Sequence, residues 1–177
     1  WIMRWLEYLS DFGHEKYLLL SDFEEEGEWE VVSGTAALDS TSYKQGSKSL
    51  KLTDTDQGRT VVDKSMSLDL SQAHIETWLK LDDIDNLEDL AVFFDVGNSG
   101  WAKYFTYWFP IPLVRTDDNG LWRHHSPAKS SFIKSGGATD ADWANITRVR
   151  LRLTAKAGVT INANFDALRA VASPPEG

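Results

Sequence analysis

Apolar and polar residues alternate at every second position through much of this chain. Leu50 and Leu52 are spaced by Ser49 and Lys51, and Met66, Leu68 and Leu70 by Ser67 and Asp69. Successive side chains of a strand point to opposite faces, so this period marks half-buried strands. Ile75, Thr77, Leu79 and Leu81 then share one face, with Glu76, Trp78 and Lys80 on the other. Trp78 is therefore predicted to point away from the core. Leu90, Val92, Phe94 and Val96 form another apolar face, Val149, Leu151 and Leu153 alternate with Arg148, Arg150 and Arg152, and Val159 to Phe165 alternate with Thr160 to Asp166. Trp101 to Phe109 carries aromatics on both faces: Phe105, Tyr107 and Phe109 on one, Tyr104 and Trp108 on the other.

The first twelve residues break this rhythm. Ile2, Trp5, Leu6 and Leu9 fall at i, i+3, i+4 and i+7, with Gly13 placed as a stop, which predicts one short amphipathic helix. Such a helix must bury its apolar face, either on the rest of the domain or in an oligomer. Glycines punctuate the strands, and Ala157-Gly158 reads as a tight hairpin. Many strands with frequent turns predict an all-β fold, an antiparallel β-sandwich of jelly-roll-like type with one short N-terminal helix. The expected organisation is a helix and lead-in over 1–16, a sandwich over 17–172 and a linker-like tail over 173–177 that carries Pro174-Pro175.

Composition narrows the function. Eighteen Lys and Arg against 27 Asp and Glu give a net charge of -9, which disfavours nucleic acid, because phosphate tracking needs clustered cations. The absence of cysteine excludes disulfides and thiolate metal sites. No apolar run reaches the ~18 residues of a membrane helix, so membrane insertion is not expected. The chain begins at Trp1, as expected of a processed product or an excised piece.

Eight Trp, eight Phe and five Tyr supply flat rings for core packing or for ligand contact. Trp78, Tyr104 and Trp108 are the leading ligand platforms, with Trp101 and Trp122 as loop alternatives. Within Arg115 to His125, Asp118-Asn119-Gly120 reads as a turn, and adjacent His124 and His125 face opposite sides of an extended strand as surface residues. Glu24-Glu25-Glu26 reads as a solvated turn, since glycosidic cleavage needs two carboxyl groups at a defined separation. No nucleophile elbow, P-loop or His-Glu-x-x-His pattern occurs, so no catalytic residue is expected.

The order of features, with Asp22-Phe23-Glu24, Trp29, Gly46 to Leu52, Ser67 to Ser71, Trp78, Trp143 and Phe165-Asp166-Ala167-Leu168, resembles the galactose-binding-like jelly-roll carbohydrate-binding modules attached to polysaccharide-active enzymes. The likeness covers roughly residues 18–172. It implies a non-catalytic domain that holds a larger enzyme or adhesin on a polysaccharide or cell-surface glycan outside the cell. It also implies a downstream catalytic neighbour, such as a polysaccharide deacetylase, and a structural calcium held by Asp22, Glu24, Asp39 and Asp166. The alternative is a structural or adhesion domain of a virus or phage tail or spike, at a virion surface, assembling as a homo-oligomer through the N-terminal helix.

Overall fold

The computed structural model describes residues 6–10, 13–110 and 118–172. Their alternating pattern builds thirteen strands: β1 (Leu6–Ser10), β2 (Gly13–Ser21), β3 (Glu30–Ser33), β4 (Thr35–Asp39), β5 (Ser49–Thr55), β6 (Thr60–Leu68), β7 (Ala73–Leu81), β8 (Leu87–Val96), β9 (Tyr104–Trp108), β10 (Arg123–His125), β11 (Ile133–Ser135), β12 (Ile146–Ala155) and β13 (Thr160–Ala172). Short 3-10 turns at Ile84–Asn86, Lys129–Ser131 and Asp140–Ala144 are the helical elements among the described residues.

Two antiparallel sheets pack face to face. The six-stranded sheet runs β11-β9-β8-β12-β6-β3. In the seven-stranded sheet β13 is the spine: its first half pairs with β5 and its second half with β2, while β7 lies along its other side. β4 borders β5, β1 borders β2 and β10 borders β7. The change of partner along β13 coincides with a bulge between Asp166 and Arg169, where Ala167 takes φ 48°.

The inner faces carry the residues that the alternation assigned to the core: Leu52, Leu79, Val92, Phe94, Leu151 and Phe165 are all buried. Trp143 closes one end, stacked on Phe105 with centroids 4.0 Å apart and planes 9° from parallel. Phe23 and Trp29 stack at 5.5 Å near β2, with the Trp29 indole N–H donating to Ser21 Oγ at 3.0 Å.

Two expectations are corrected. The predicted N-terminal helix is instead a hairpin in its described part, with Leu6 opposite Tyr17 and Ser10 opposite Gly13. A helix this short is marginal alone. As a strand the same segment extends a sheet whose edge would otherwise leave β2 half-paired. Assembly through a helical face therefore loses its element; residues 1–5 and 11–12, like the tail 173–177, lie outside the described residues. The Ala157-Gly158 segment is a turn, but it joins no hairpin: β12 belongs to the six-stranded sheet and β13 to the other. It passes the chain from one sheet to its partner.

Candidate functional site

Alternation that buries Val92, Phe94, Val149 and Leu151 must send Phe93, Arg148, Arg150 and Arg152 outward. The register aligns these residues into rows across the outer face of the six-stranded sheet. Tyr104, Asp95 and Arg148 lie side by side on β9, β8 and β12; Thr106, Phe93, Arg150 and Asp63 form the next row, and Trp108, Ala91, Arg152 and Val61 the third. With strands ~4.8 Å apart and same-face residues ~6.6 Å apart along each strand, the rows make a continuous platform.

Aromatic rings cover its centre. Phe93, 9% exposed, is surrounded by Trp108 at 6.0 Å, Tyr104 at 5.9 Å and Trp101 at 6.4 Å. Arg150 lies over the Trp101 ring at 4.2 Å and Arg152 over the Trp108 ring at 4.5 Å, in cation-to-ring contact. The guanidinium groups are also held from the side. Asp63 accepts from Arg150 Nε at 2.6 Å and NH2 at 2.8 Å, while Asp89 accepts from Arg152 and from Thr154 Oγ1. Trp108 remains 39% exposed. The face thus offers open ring surface beside rigidly placed donors and acceptors.

Trp101 reaches this face from the loop between β8 and β9. Gly136 lies beneath that loop at φ 63°, and a side chain there would collide with the carbonyl of Ala102. Lys103 donates to Asp142 at 2.7 Å, and Asp142 accepts from the backbone N–H and hydroxyl of Thr139. These hydrogen bonds, the one from Lys103 foremost, hold the Asp142 carboxyl down to about 2.

The predicted platform residues are divided between the two sheets. Tyr104, Trp108 and Trp101 come together as described. Trp78 points outward as expected, but from β7 of the opposite sheet, where Lys44 Nζ stands 4.3 Å over its ring and His124 lies 5.1 Å from it. Trp122 is half-buried just before β10, also on that side. Phe93 and the three arginines were missed as site residues. The alternation of the arginines with Val149, Leu151 and Leu153 is visible in the sequence, but nothing local to it signals contact with aromatic rings on other strands.

His124 and His125 face opposite ways, as predicted, yet only His124 is a surface residue. It approaches Glu76 at 3.3 Å. His125 packs against Phe109 at 5.2 Å, and burial, then the charge of His124, pushes its imidazole below the usual range. Burial works against the charge of Glu76, but hydrogen bonds from Arg169 and His74 hold its carboxyl below the ordinary value. The Asp118–Gly120 segment is a turn, closed by Leu121 N–H donating to Asp118 O at 2.9 Å.

Of the four acids expected to hold calcium, two converge. Asp166 is fully buried; its Oδ2 accepts from the Lys44 and Gln45 N–H groups at 2.6 and 2.8 Å, and its Oδ1 has no partner. Burial pushes its carboxyl up, and the nearby Glu24 carboxylate adds to the effect. Glu24 accepts from Ser47 and Lys48 N–H of the same loop, an approach open only because position 46 is glycine. Asp22 instead accepts from Glu24 N–H, and Asp39 from Thr41 and Asn164. Among the described residues no group of three or more His, Cys, Asp or Glu side chains is arranged to hold a metal.

No protein-family profile matches the chain, and no curated protein sequence matches it. Solved structures do. A family 11 carbohydrate-binding module from Clostridium thermocellum, in complex with a β-1,3-1,4-mixed-linked tetrasaccharide, superposes with TM-score 0.65 at 15% identity, over 90% of this chain and 98% of the module. The family 30 module of a cellulosomal cellulase of the same organism gives 0.55 at 18% identity, over 86% and 90%. An agarase gives 0.62 at 12% identity, over 89% of this chain and 25% of the enzyme. These similarities establish the two-sheet fold of carbohydrate-binding modules.

Proposed function

We propose that the outer face of the six-stranded sheet binds a neutral polysaccharide chain and that the domain is a non-catalytic carbohydrate-binding module. The observation that carries this reading is the exposed Trp108 ring beside Arg152, within a cluster of aromatics flanked by Arg–Asp pairs. A pyranose presents an apolar face and a rim of hydroxyls. An open indole meets the first, and guanidinium and carboxylate groups in fixed geometry meet the second. Neutral chains fit best because Arg150 and Arg152 are already paired with Asp63 and Asp89, so the face has little cationic surplus for an anionic polymer. Those same pairings tie both carboxylates to arginine, which leaves neither free to act as acid or nucleophile. Structurally similar modules named for carbohydrate binding, one of them in complex with a tetrasaccharide, support the reading.

A polysaccharide partner puts the site of action outside the cell or at its surface. Native affinity electrophoresis through gels containing mixed-linked β-glucan, agarose or alginate tests the proposal. Retardation by a neutral polymer and not by alginate is expected. Unretarded migration through both neutral gels contradicts it.

A structural calcium belongs to the same proposal. Asp166 and Glu24 are the side chains that would hold it, and the unpartnered buried Oδ1 of Asp166 supports that reading. The ion would offset the charge of the two carboxylates that accept from the loop between β4 and β5 and so hold that loop to the seven-stranded sheet.

A further inference from the structure

We infer that Trp101 is a lid over a hydroxyl-binding subsite whose acceptor is Asp95. The inference rests on the outer face of the six-stranded sheet being the glycan site, and it assigns that site a further contact residue and a gate.

Asp95 lies on β8 between Tyr104 and Arg148, in the first row of the face. Its side chain is fully buried. Oδ1 accepts from the Trp101 backbone N–H at 3.1 Å and from Ser99 Oγ at 2.5 Å, whereas Oδ2 has no donor. Arg148 stands directly opposite but turns away, 3.8 Å from Asp63 and 5.9 Å from the Trp101 ring. The Trp101 indole N–H is likewise buried without an acceptor. An unpaired buried acceptor and an unpaired buried donor are each costly. Here both occur where an aromatic ring closes over a binding face.

The backbone of the segment that carries the ring is strained. Gly97 and Gly100 take φ 62° and 65°, and Asn98 and Trp101 adopt the same left-handed region at 56° and 69°. For a residue as bulky as Trp that conformation is strained. What holds the ring down is Arg150 at 4.2 Å together with Phe93 and Tyr104 at 6.4 Å. The Ser99 hydroxyl ties the loop to Asp95. A sugar hydroxyl both donates and accepts. Entering beneath the lifted ring, it donates to Asp95 Oδ2, and the indole, released from its unsatisfied position, closes on the sugar ring.

Association and dissociation rates on immobilised mixed-linked β-1,3-1,4-glucan test this. Trp101→Gly removes the lid and suits the left-handed backbone, so its association rate should rise about tenfold as the open state becomes the resting state. Ser99→Ala, which loosens the loop without touching the ring, should shift the rate in the same direction. Asp95→Asn keeps the Oδ1 contacts and loses the charged acceptor, so its affinity should fall about tenfold or more with the thermal midpoint maintained. Association rates equal to the parent's in both loop variants overturn the lid, and parental affinity in Asp95→Asn overturns the subsite. If Trp108→Ala also binds as the parent does, the face itself is wrong, and the lid falls with it.

Discussion

Arg150 sits over the Trp101 ring at 4.2 Å while donating two hydrogen bonds to Asp63, at 2.6 and 2.8 Å. One side chain thereby fixes an aromatic of the binding face and neutralises a buried carboxylate.

Arg150→Met should remove both effects. Asp63, 5% exposed, would keep only the 3.8 Å approach of Arg148, and an underpaired buried charge is strongly destabilising. Because Arg150 is partly exposed, the expected loss is discounted to about 1–3 kcal/mol. Urea unfolding should show this in the single variant and a smaller loss in the double variant Arg150→Met, Asp63→Asn. Equal losses in the two would deny the pairing its role.

Trp143→Ala should cost about 3–5 kcal/mol, as expected for a large aromatic removed from a packed core. Trp143 is 1% exposed and meets Phe105, Phe94 and Phe132. The check is a fall in denaturation midpoint at unchanged slope. A near-parental midpoint would mean that this end of the sandwich is not packed as described.

Acid should loosen the anchor of the Trp101 loop. The Asp142 carboxyl is held down to about 2 by Lys103 and Thr139, against roughly 4 for an unperturbed aspartate. Its folded pKa is depressed, so the stability it contributes is fully present above about 4 and is lost as pH falls through about 2. The difference in thermal midpoint between the parent and Asp142→Asn should therefore be constant above pH 4 and shrink toward zero near pH 2. A difference that is independent of pH across this window would contradict the assignment.

Calcium should raise the thermal midpoint of the parent relative to a chelator, and should not raise that of Asp166→Asn. An ion that bridges Asp166 and Glu24 binds only the folded chain, so its stabilisation follows its concentration. Identical midpoints with calcium and with chelator would dismiss the ion.

The strands and their faces were largely legible in the sequence, because period-two alternation is itself the sheet's geometry. The outward placement of Trp78 followed from it directly, whereas β9, aromatic on both faces, left open which of its faces is core. Which sheet each strand joins did not, since the Ala157-Gly158 turn looks the same whether it closes a hairpin or crosses between sheets. That ambiguity is why Trp78 was grouped with Tyr104 and Trp108, from which the whole core separates it. The helix expected at the N-terminus failed for a related reason: a few apolar residues at i, i+3 and i+4 cannot outweigh the backbone pairing that an adjacent sheet edge provides. Arg148, Arg150 and Arg152 were read correctly as one face of a strand, but their stacking on Trp101 and Trp108 depends on cross-strand register, which local pattern does not encode.

The separation of Trp78 from Trp108 supplies the most direct test of the glycan face. Isothermal titration with mixed-linked β-1,3-1,4-glucan should show binding by the parent, unchanged binding by Trp78→Ala, and affinity lowered about tenfold or more by Trp108→Ala, as for truncation of an aromatic anchor in a binding surface, with parental thermal midpoints for Trp108→Ala. Loss of binding in Trp78→Ala alongside parental affinity in Trp108→Ala would place the site on the seven-stranded sheet and contradict the account.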